Sequence, residues 1–264
     1  MQQFPYWQKQ TAEAPLFPDI EWSKPEQRAY AGRLGIIGGN KLGFAGAAEA
    51  YSVALKAGAG EAKVLLPDVL KKSLPRTLTE AQFAPSNISG SLSREAIGDM
   101  QALASWSTGV LLVGDAGRSS ETAIVYDDFL RSYQGHLTLT RDAIDLVKLS
   151  FSELLERGDV LFVASFAQVQ KLFQSVYYPK MLTFSMQLAQ LVEALHKFTI
   201  THPATIATLH KEHIVLAHDG TVITMPFESP LQIWRGVTAA KMATYWLWTP
   251  TKPLEAAATS LLSR

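Results

Sequence analysis

Cysteine is absent from the 264 residues, which excludes disulfides and thiolate chemistry and permits a reducing compartment. An excess of either charge is absent too. The 24 Lys and Arg balance the 24 Asp and Glu, so no electrostatic argument favours nucleic acid or an anionic membrane. No uninterrupted apolar run approaches the ~18 residues of a membrane span. The opening MQQFPYWQKQ lacks the apolar centre of a signal peptide. We therefore expect a cytoplasmic chain that binds neither nucleic acid nor membrane. Linkers, repeats and low-complexity tracts are also missing, so residues 1–264 read as one domain. Residues 1–30, rich in Pro, Gln and aromatics, read as an arm packed on it, with room for one short helix.

What is present is an alternation. Short apolar runs suited to buried strands lie at Leu34–Ile37, Ala62–Leu66, Ala81–Pro85, Val110–Val113, His136–Thr140 and Val160–Ala164. Helical patterns separate them. Ala45 to Gly58 is Ala- and Leu-rich, and Asp68–Leu74 is short and stopped by Pro75. Ser93–Trp106 places Ala96, Met100 and Leu103 on one face. Glu121–Tyr133 places Ile124, Phe129, Leu130 and Tyr133 on one face. Ala143–Leu155, Ala167–Val176 and Thr183–Lys197 follow. Strand and helix alternate from residue 34 to about 176, the mark of a largely parallel sheet covered on both faces. Thr205–Leu209, Ile214–Ala217 and Val222–Met225 are further strands, the last two joined by the hairpin turn Asp219-Gly220. Helices Ser229–Trp248 and Leu254–Leu262 close the chain. Ligands of such sheets bind beyond the carboxyl ends of the strands. The loops that matter are those after Ile37, Val113, Thr140 and Ala164, and the turn into the helix at Ser229.

The most informative stretch is RLGIIGGNKLGFAGAAEAYSVALKAGAG, residues 33–60. A strand runs into Gly38, Gly39 and Asn40; Gly43 and Gly46 follow, and a helix begins. Strand, glycine loop, helix aims backbone N–H groups and a helix N-terminus at an anion. The alternative is a tight turn whose glycines only let helix and strand pack closely. The spacing is neither G-x-G-x-x-G nor G-x-x-x-x-G-K-[ST], so the dinucleotide and P-loop fingerprints do not apply.

The glycine pair, the polar gap, F-A-G-A and the Ala-rich helix ending A-G-A-G resemble the first unit of the nucleotide-dependent NAD(P)H-hydrate dehydratases, of the ribokinase-like superfamily. The resemblance implies a three-layer α/β/α sandwich with a mostly parallel central sheet and a C-terminal β-hairpin. It implies substrate contacts at Gly38, Gly39, Asn40, Gly43, Gly46, Gly114 and Asp142. The place of Gly38, Gly39, Asn40, Gly43 and Gly46, at a strand's carboxyl end before a helix N-terminus, predicts that these five line the mouth of the largest pocket. It implies ATP or ADP with Mg2+ as cofactors, NAD(P)H-hydrate or another nucleotide as ligand, and a homo-oligomer. Later motifs depart from the family. Where it has G-P-G-L-G, this chain has Gly114-Asp115-Ala116-Gly117-Arg118; for D-A-D-A-L it has Thr140-Arg141-Asp142-Ala143-Ile144. For T-P-H-x-G-E it has Val163-Ala164-Ser165-Phe166-Ala167-Gln168, and Leu209-His210 stands for a Lys-Gly. The family signature G-T-G-D-x-L-x-G, whose Asp is the catalytic base, is replaced by Ser229-Pro230-Leu231-Gln232-Ile233-Trp234-Arg235-Gly236. Gln232 in the Asp position lacks the basicity for the role. The expectation is a catalytically impaired relative that retains a ligand or partner; the alternative is an active dehydratase.

His210, His213 and His218 lie beside Asp219. A metal needs three or four converging ligands, and 213 and 218 could face each other across a hairpin. We expect instead polar residues on its solvent face. No elbow motif surrounds Ser165 or Ser185, so a hydrolase triad is not expected. The stripe Trp234, Thr238, Lys241, Tyr245, Trp248 beside the core stripe Ile233, Val237, Ala240, Thr244, Leu247 either widens the core or forms a subunit interface.

Overall fold

The computed structural model describes residues 4–74 and 78–263. The expected helix stop at Pro75 lies outside them. One sheet of ten strands organises the molecule: β1 (Trp7–Lys9), β2 (Arg33–Gly38), β3 (Glu61–Pro67), β4 (Ala81–Ala84), β5 (Gly109–Gly114), β6 (His136–Thr140), β7 (Val160–Ala164), β8 (Thr205–His210), β9 (His213–His218) and β10 (Thr221–Pro226). Their order across the sheet is β1-β10-β9-β8-β7-β6-β5-β2-β3-β4. Neighbours pair in parallel except β8–β9 and β9–β10, which form the expected C-terminal antiparallel end. From β2 the chain first winds outward through β3 and β4, then returns to the other side of β2 and continues from β5. The order therefore reverses between β2 and β5, where open α/β sheets leave a crevice at the carboxyl ends.

The strands bury both faces, and side chains alternate between them. Leu34 and Ile36 of β2, Leu111 and Val113 of β5, and Leu161 and Val163 of β7 enter one core with α1 (Ala45–Ala57). Their helical company there includes α8 (Pro230–Arg235), α9 (Val237–Trp248) and α10 (Pro253–Ser260). Ile37, Val110, Leu112, Val160 and Phe162 enter the other core. That core is covered by α2 (Ile97–Trp106), α3 (Ser120–Ser132), α4 (Asp142–Leu146), α5 (Phe151–Leu155), α6 (Phe166–Ser175) and α7 (Leu188–Thr201). The result is the expected three-layer sandwich. No helix among the described residues is long and apolar enough to cross a membrane.

Several expectations are corrected. The arm contributes a strand: β1 pairs with β10 in register Trp7↔Val222, and Trp7 Nε1 donates to Thr224 Oγ1 at 2.8 Å. Three residues of mixed polarity show no period, so only tertiary pairing reveals it. The helix expected over Ala143–Leu155 is two short helices around a 3-10 turn, Lys148–Ser150. Ser150 Oγ donates to the buried Asp127 Oδ1 at 2.8 Å, which fixes the turn. The helix expected from Thr183 begins at Leu188 and runs to Thr201; Gln187 N donates to Gln190 Oε1 at 2.8 Å at its start. The helix from Ser229 breaks at Gly236, which has φ 84° and separates α8 from α9. Ile124, expected on the core face of α3, is 41% exposed.

Of the histidines near Asp219, His213 and His218 are half-buried and His210 does not face solvent. His210 is buried, and its Nε2–H donates to Met186 O at 2.9 Å; His218 Nδ1 meets Thr205 Oγ1 at 3.0 Å. His213 and His218 lie at opposite ends of one strand, so they do not face each other. No group of three His or acidic residues among the described residues could hold a metal. The aromatic stripe is no free interface either. Thr238, Tyr245 and Trp248 are buried by this chain itself; Tyr245 OH donates to Glu21 Oε1 at 2.9 Å, and Lys24 lies over the Trp248 ring. The side chain of Trp234 lies outside the description.

Candidate ligand cleft

The four loops after β2, β5, β6 and β7 converge at the reversal point. They line a cleft of about 620 Å³ that includes Asn40 and Gly43, Asp115, Gly117 and Arg118, Arg141, Asp142 and Asp145, and Ser165 and Gln168. Of the residues expected to contact substrate, Asn40, Gly43 and Asp142 line it. Gly38, Gly39, Gly46 and Gly114 are buried in its walls. A neighbouring cavity, of about 720 Å³, touches none of the first-loop glycines, so the expectation that they rim the largest pocket is not met.

Each wall residue has a mechanical reason. Asn40 Nδ2 donates to Asp115 O at 2.6 Å while its Oδ1 accepts from Leu42 N at 2.7 Å, tying the loop after β2 to the loop after β5. Asp142 Oδ1 accepts from Asp115 N at 2.7 Å and Oδ2 from Ala116 N at 3.2 Å. Its carboxylate is thus spent on the β5 loop. Gly114 at φ 87° is required twice over: the left-handed backbone disfavours a side chain, and a Cβ would run into Asp142 Oδ1.

The centre of the cleft is an ion pair that no motif announced. Arg141 Nη2 donates to Asp115 Oδ1, and Nη1 to Oδ2 at 3.3 Å. The same Oδ2 accepts from Gly46 N, in the first turn of α1, at 2.7 Å. Gly46 has no side chain because a Cβ there would collide with the Arg141 guanidinium. The helix N-terminus that the glycine loop offers to an anion is therefore filled by this chain's own carboxylate. Both partners hold unusual backbone: Asp115 has φ 54°, and Arg141 has φ 57° with ψ −142°. Such conformations cost of order 1–3 kcal/mol each and persist only where neighbours over-determine them. Here Gln168, itself buried, does so. Its Nε2 donates to Arg141 O at 2.7 Å and Asp145 Oδ2 at 2.9 Å, and its Oε1 accepts from Ser165 N at 2.9 Å. Beneath the cleft, the Tyr126 hydroxyl is buried without a hydrogen-bond partner among the described residues. Its pKa is pushed up by burial and by the nearby Asp142 charge.

Asp115, Arg141, Arg118 and Gln168 escaped the sequence reading as site residues. The available signal was positional: charged residues stand immediately after the apolar runs of β5 and β6, and no core role suits them there.

Gln232 is elsewhere. It is exposed on α8 and lines a separate cavity of about 530 Å³ with Glu13, Glu228, Ser229, Lys241 and Ser263. Lys241 Nζ donates to Ser263 O at 2.6 Å, and burial lowers its pKa. What reaches the cleft end of the sheet from this region is Gly236, packed by Val113, Thr140 and Arg141 at the start of α9.

No family model matches the chain, and no curated protein sequence is significantly similar to it. Solved structures are similar. A ribokinase-like superfamily protein from Enterococcus faecalis V583 superposes with TM-score 0.75 at 16% identity, covering 100% of this chain and 88% of that one. The ADP/ATP-dependent NAD(P)H-hydrate dehydratase from Bacillus subtilis, co-crystallized with ATP/Mg2+, gives 0.58 at 11% identity, with 93% and 85% covered. Phosphomethylpyrimidine kinase from Clostridium difficile 630 gives 0.56 at 12% identity, with 87% and 97% covered. Strand order, layering and these superpositions agree that the chain has the ribokinase-like fold.

Proposed function

We propose that this protein is a ligand-binding relative of the NAD(P)H-hydrate dehydratases in which phosphoryl transfer and elimination have been lost. The carrying observation is Gln232. The position that would supply the base holds an exposed amide, on a short helix facing a cavity apart from the cleft. A carboxylate gains a proton as the attacking hydroxyl loses one; an amide does not, and general-base catalysis is worth about 10²–10⁴ in rate. Asp142 does line the cleft, but both its oxygens already accept backbone N–H groups.

The cofactor implied by the resemblance, ATP or ADP with Mg2+, fits poorly at Ser229–Gln232. Pro230 has no N–H to donate, and Glu13 and Glu228 line the same cavity and would repel phosphates. Lys241, its one lining cation among the described residues, is engaged by Ser263 O. We expect weak or no binding of ATP and ADP there. The chain is read as one cytoplasmic domain. A homo-oligomer remains our proposal on the resemblance alone, since the aromatic stripe offered for it is covered within the chain; light scattering at micromolar concentration tests it.

The decisive assay gives the pure protein hydrated NADH with ATP or ADP, beside Gln232→Asp. We expect no measurable turnover by the unmodified chain. Turnover near 1 s⁻¹ or above, roughly the ordinary range for enzymes, would replace this reading with an active dehydratase.

A further inference from the structure

The Asp115–Arg141 pair is peculiar to this chain. At these two positions the resembled motifs carry Pro, in G-P-G-L-G, and Ala, in D-A-D-A-L; here an acid and a base stand there together. Neither Pro nor Ala could form an ion pair. What the acid touches is a full set of donors. Arg141 presents Nη2 to one carboxylate oxygen and Nη1 to the other, and Gly46 N donates to Oδ2 at 2.7 Å. A planar guanidinium that grips both oxygens, with a backbone amide beside it, is how proteins hold the carboxylate of a ligand. The pair is not sealed in a core. Both side chains line the cleft, with 17% exposure left to Asp115 and 24% to Arg141. The backbone of Asp115 is anchored separately: its N–H donates to Asp142 Oδ1, and its O accepts from Asn40 Nδ2. The side chain can therefore turn out into the cleft while the loop stays in place. Arg118, in the same loop and the same cleft, forms no ion pair among the described residues.

We infer that Asp115 is a built-in ligand of the cleft, an autoinhibitory contact. Its side chain occupies a carboxylate site made by Arg141 and Gly46 N, and a small molecule bearing a carboxylate enters by displacing it towards Arg118. The inference rests on the reading of the chain as a ligand-binding protein. The donors match a planar anion with two oxygens. A phosphate would bring a third oxygen and further charge that these three N–H groups do not meet. A tethered carboxylate competes at an effective concentration of about millimolar or above. A free monocarboxylate therefore does not evict it, and only a ligand with further contacts in the cleft does. The inhibition thus doubles as selection: simple acids of the surroundings are refused.

Asp115→Gly empties the site and suits the left-handed backbone at this position. Thermal melting of the full chain is followed across a range of sodium acetate, with sodium chloride at equal ionic strength as reference. The unmodified chain, Asp115→Gly, and Asp115→Gly combined with Arg141→Gln are compared. We expect acetate to raise the melting temperature of Asp115→Gly saturably, by about 3 °C or more beyond its effect on the unmodified chain. That is roughly the shift from a ligand at tenfold excess over its dissociation constant. The combined variant should lose the increment, and sodium phosphate should give a smaller one. If Asp115→Gly does not fold, Asp115→Asn carries the test. It keeps the side-chain volume but leaves Arg141 without its counter-charge, so acetate should again stabilise it more than the unmodified chain. Equal effects on variant and unmodified chain, an increment that survives Arg141→Gln, or a larger response to phosphate would each overturn the proposal. A strut that only joined two loops would not be replaced by a free anion. Turnover of hydrated NADH would sink the non-catalytic reading and leave the acetate shifts as they are, so the two failures are distinguishable.

Discussion

Replacing Asp115 by Asn removes one charge and almost nothing else. Asn tolerates the left-handed backbone that Asp115 adopts, so the φ of 54° adds no new cost. The amide oxygen can still accept from Gly46 N. What disappears is the carboxylate that Arg141 grips with both terminal nitrogens. Breaking a fully buried pair by removing one partner costs about 3–5 kcal/mol. Arg141 keeps 24% and Asp115 17% of side-chain exposure, so water recovers part of that. We expect Asp115→Asn to lower the unfolding free energy by about 2–3 kcal/mol, between the buried and the exposed limits. Urea denaturation followed by circular dichroism measures it, with unchanged m-value as the check that two-state unfolding survives. Arg141→Gln and the double variant complete a cycle, and the coupling between the sites should be of similar size. A cost below about 0.5 kcal/mol, as for ordinary surface substitutions, or a coupling near zero, would refute the view that this pair ties the loops of the cleft together.

Gly114→Ala should be among the most damaging single changes, at about 3 kcal/mol or more, because it combines a positive φ with a collision at Asp142; thermal melting reads it. Tyr126→Phe removes a buried hydroxyl that has no partner among the described residues, so it should be neutral or stabilising by up to about 1 kcal/mol, and clear destabilisation would mean the hydroxyl is satisfied in solution. Gln232→Ala should leave stability within about 0.5 kcal/mol, as befits an exposed side chain. Burial lowers the pKa of His136, His210 and His218, so the unfolded chain takes up protons first as pH falls. The stability present above the ordinary histidine pKa of about 6.5 is then lost towards the lower folded-state values. Denaturation midpoints that stay flat from pH 7 to about pH 5 would contradict this.

The fold was legible because its signal is repetitive. Apolar runs such as Val110–Val113 and Val160–Ala164 fill both faces of a parallel sheet, and each carries its own boundary residues. The loops that would converge were legible for the same reason. Their chemistry was not. Asp115 and Arg141 stand 26 residues apart in sequence, and their pairing follows only from β5 and β6 lying side by side. Gln168 looked like a lost motif position, yet its amide fixes Arg141. The helix break at Gly236 was hidden because an apolar period runs through it unchanged. Ile124 was placed inward by its spacing; the groove beside it leaves it uncovered.

The pairing of β1 with β10 joins residues far apart in the sequence, Trp7 with Val222. During synthesis the arm emerges before the inner strands and its partner after them. The N-terminal residues must therefore wait, unpaired, while the inner strands assemble, and the sheet edge is sealed only when the antiparallel end is complete. Until then β10 and the arm each present free backbone groups of the kind that recruit foreign strands. The short arm acts as a selvedge: it finishes an edge woven from distant threads, and a chain deprived of it would be left with that edge open to fraying and to self-association.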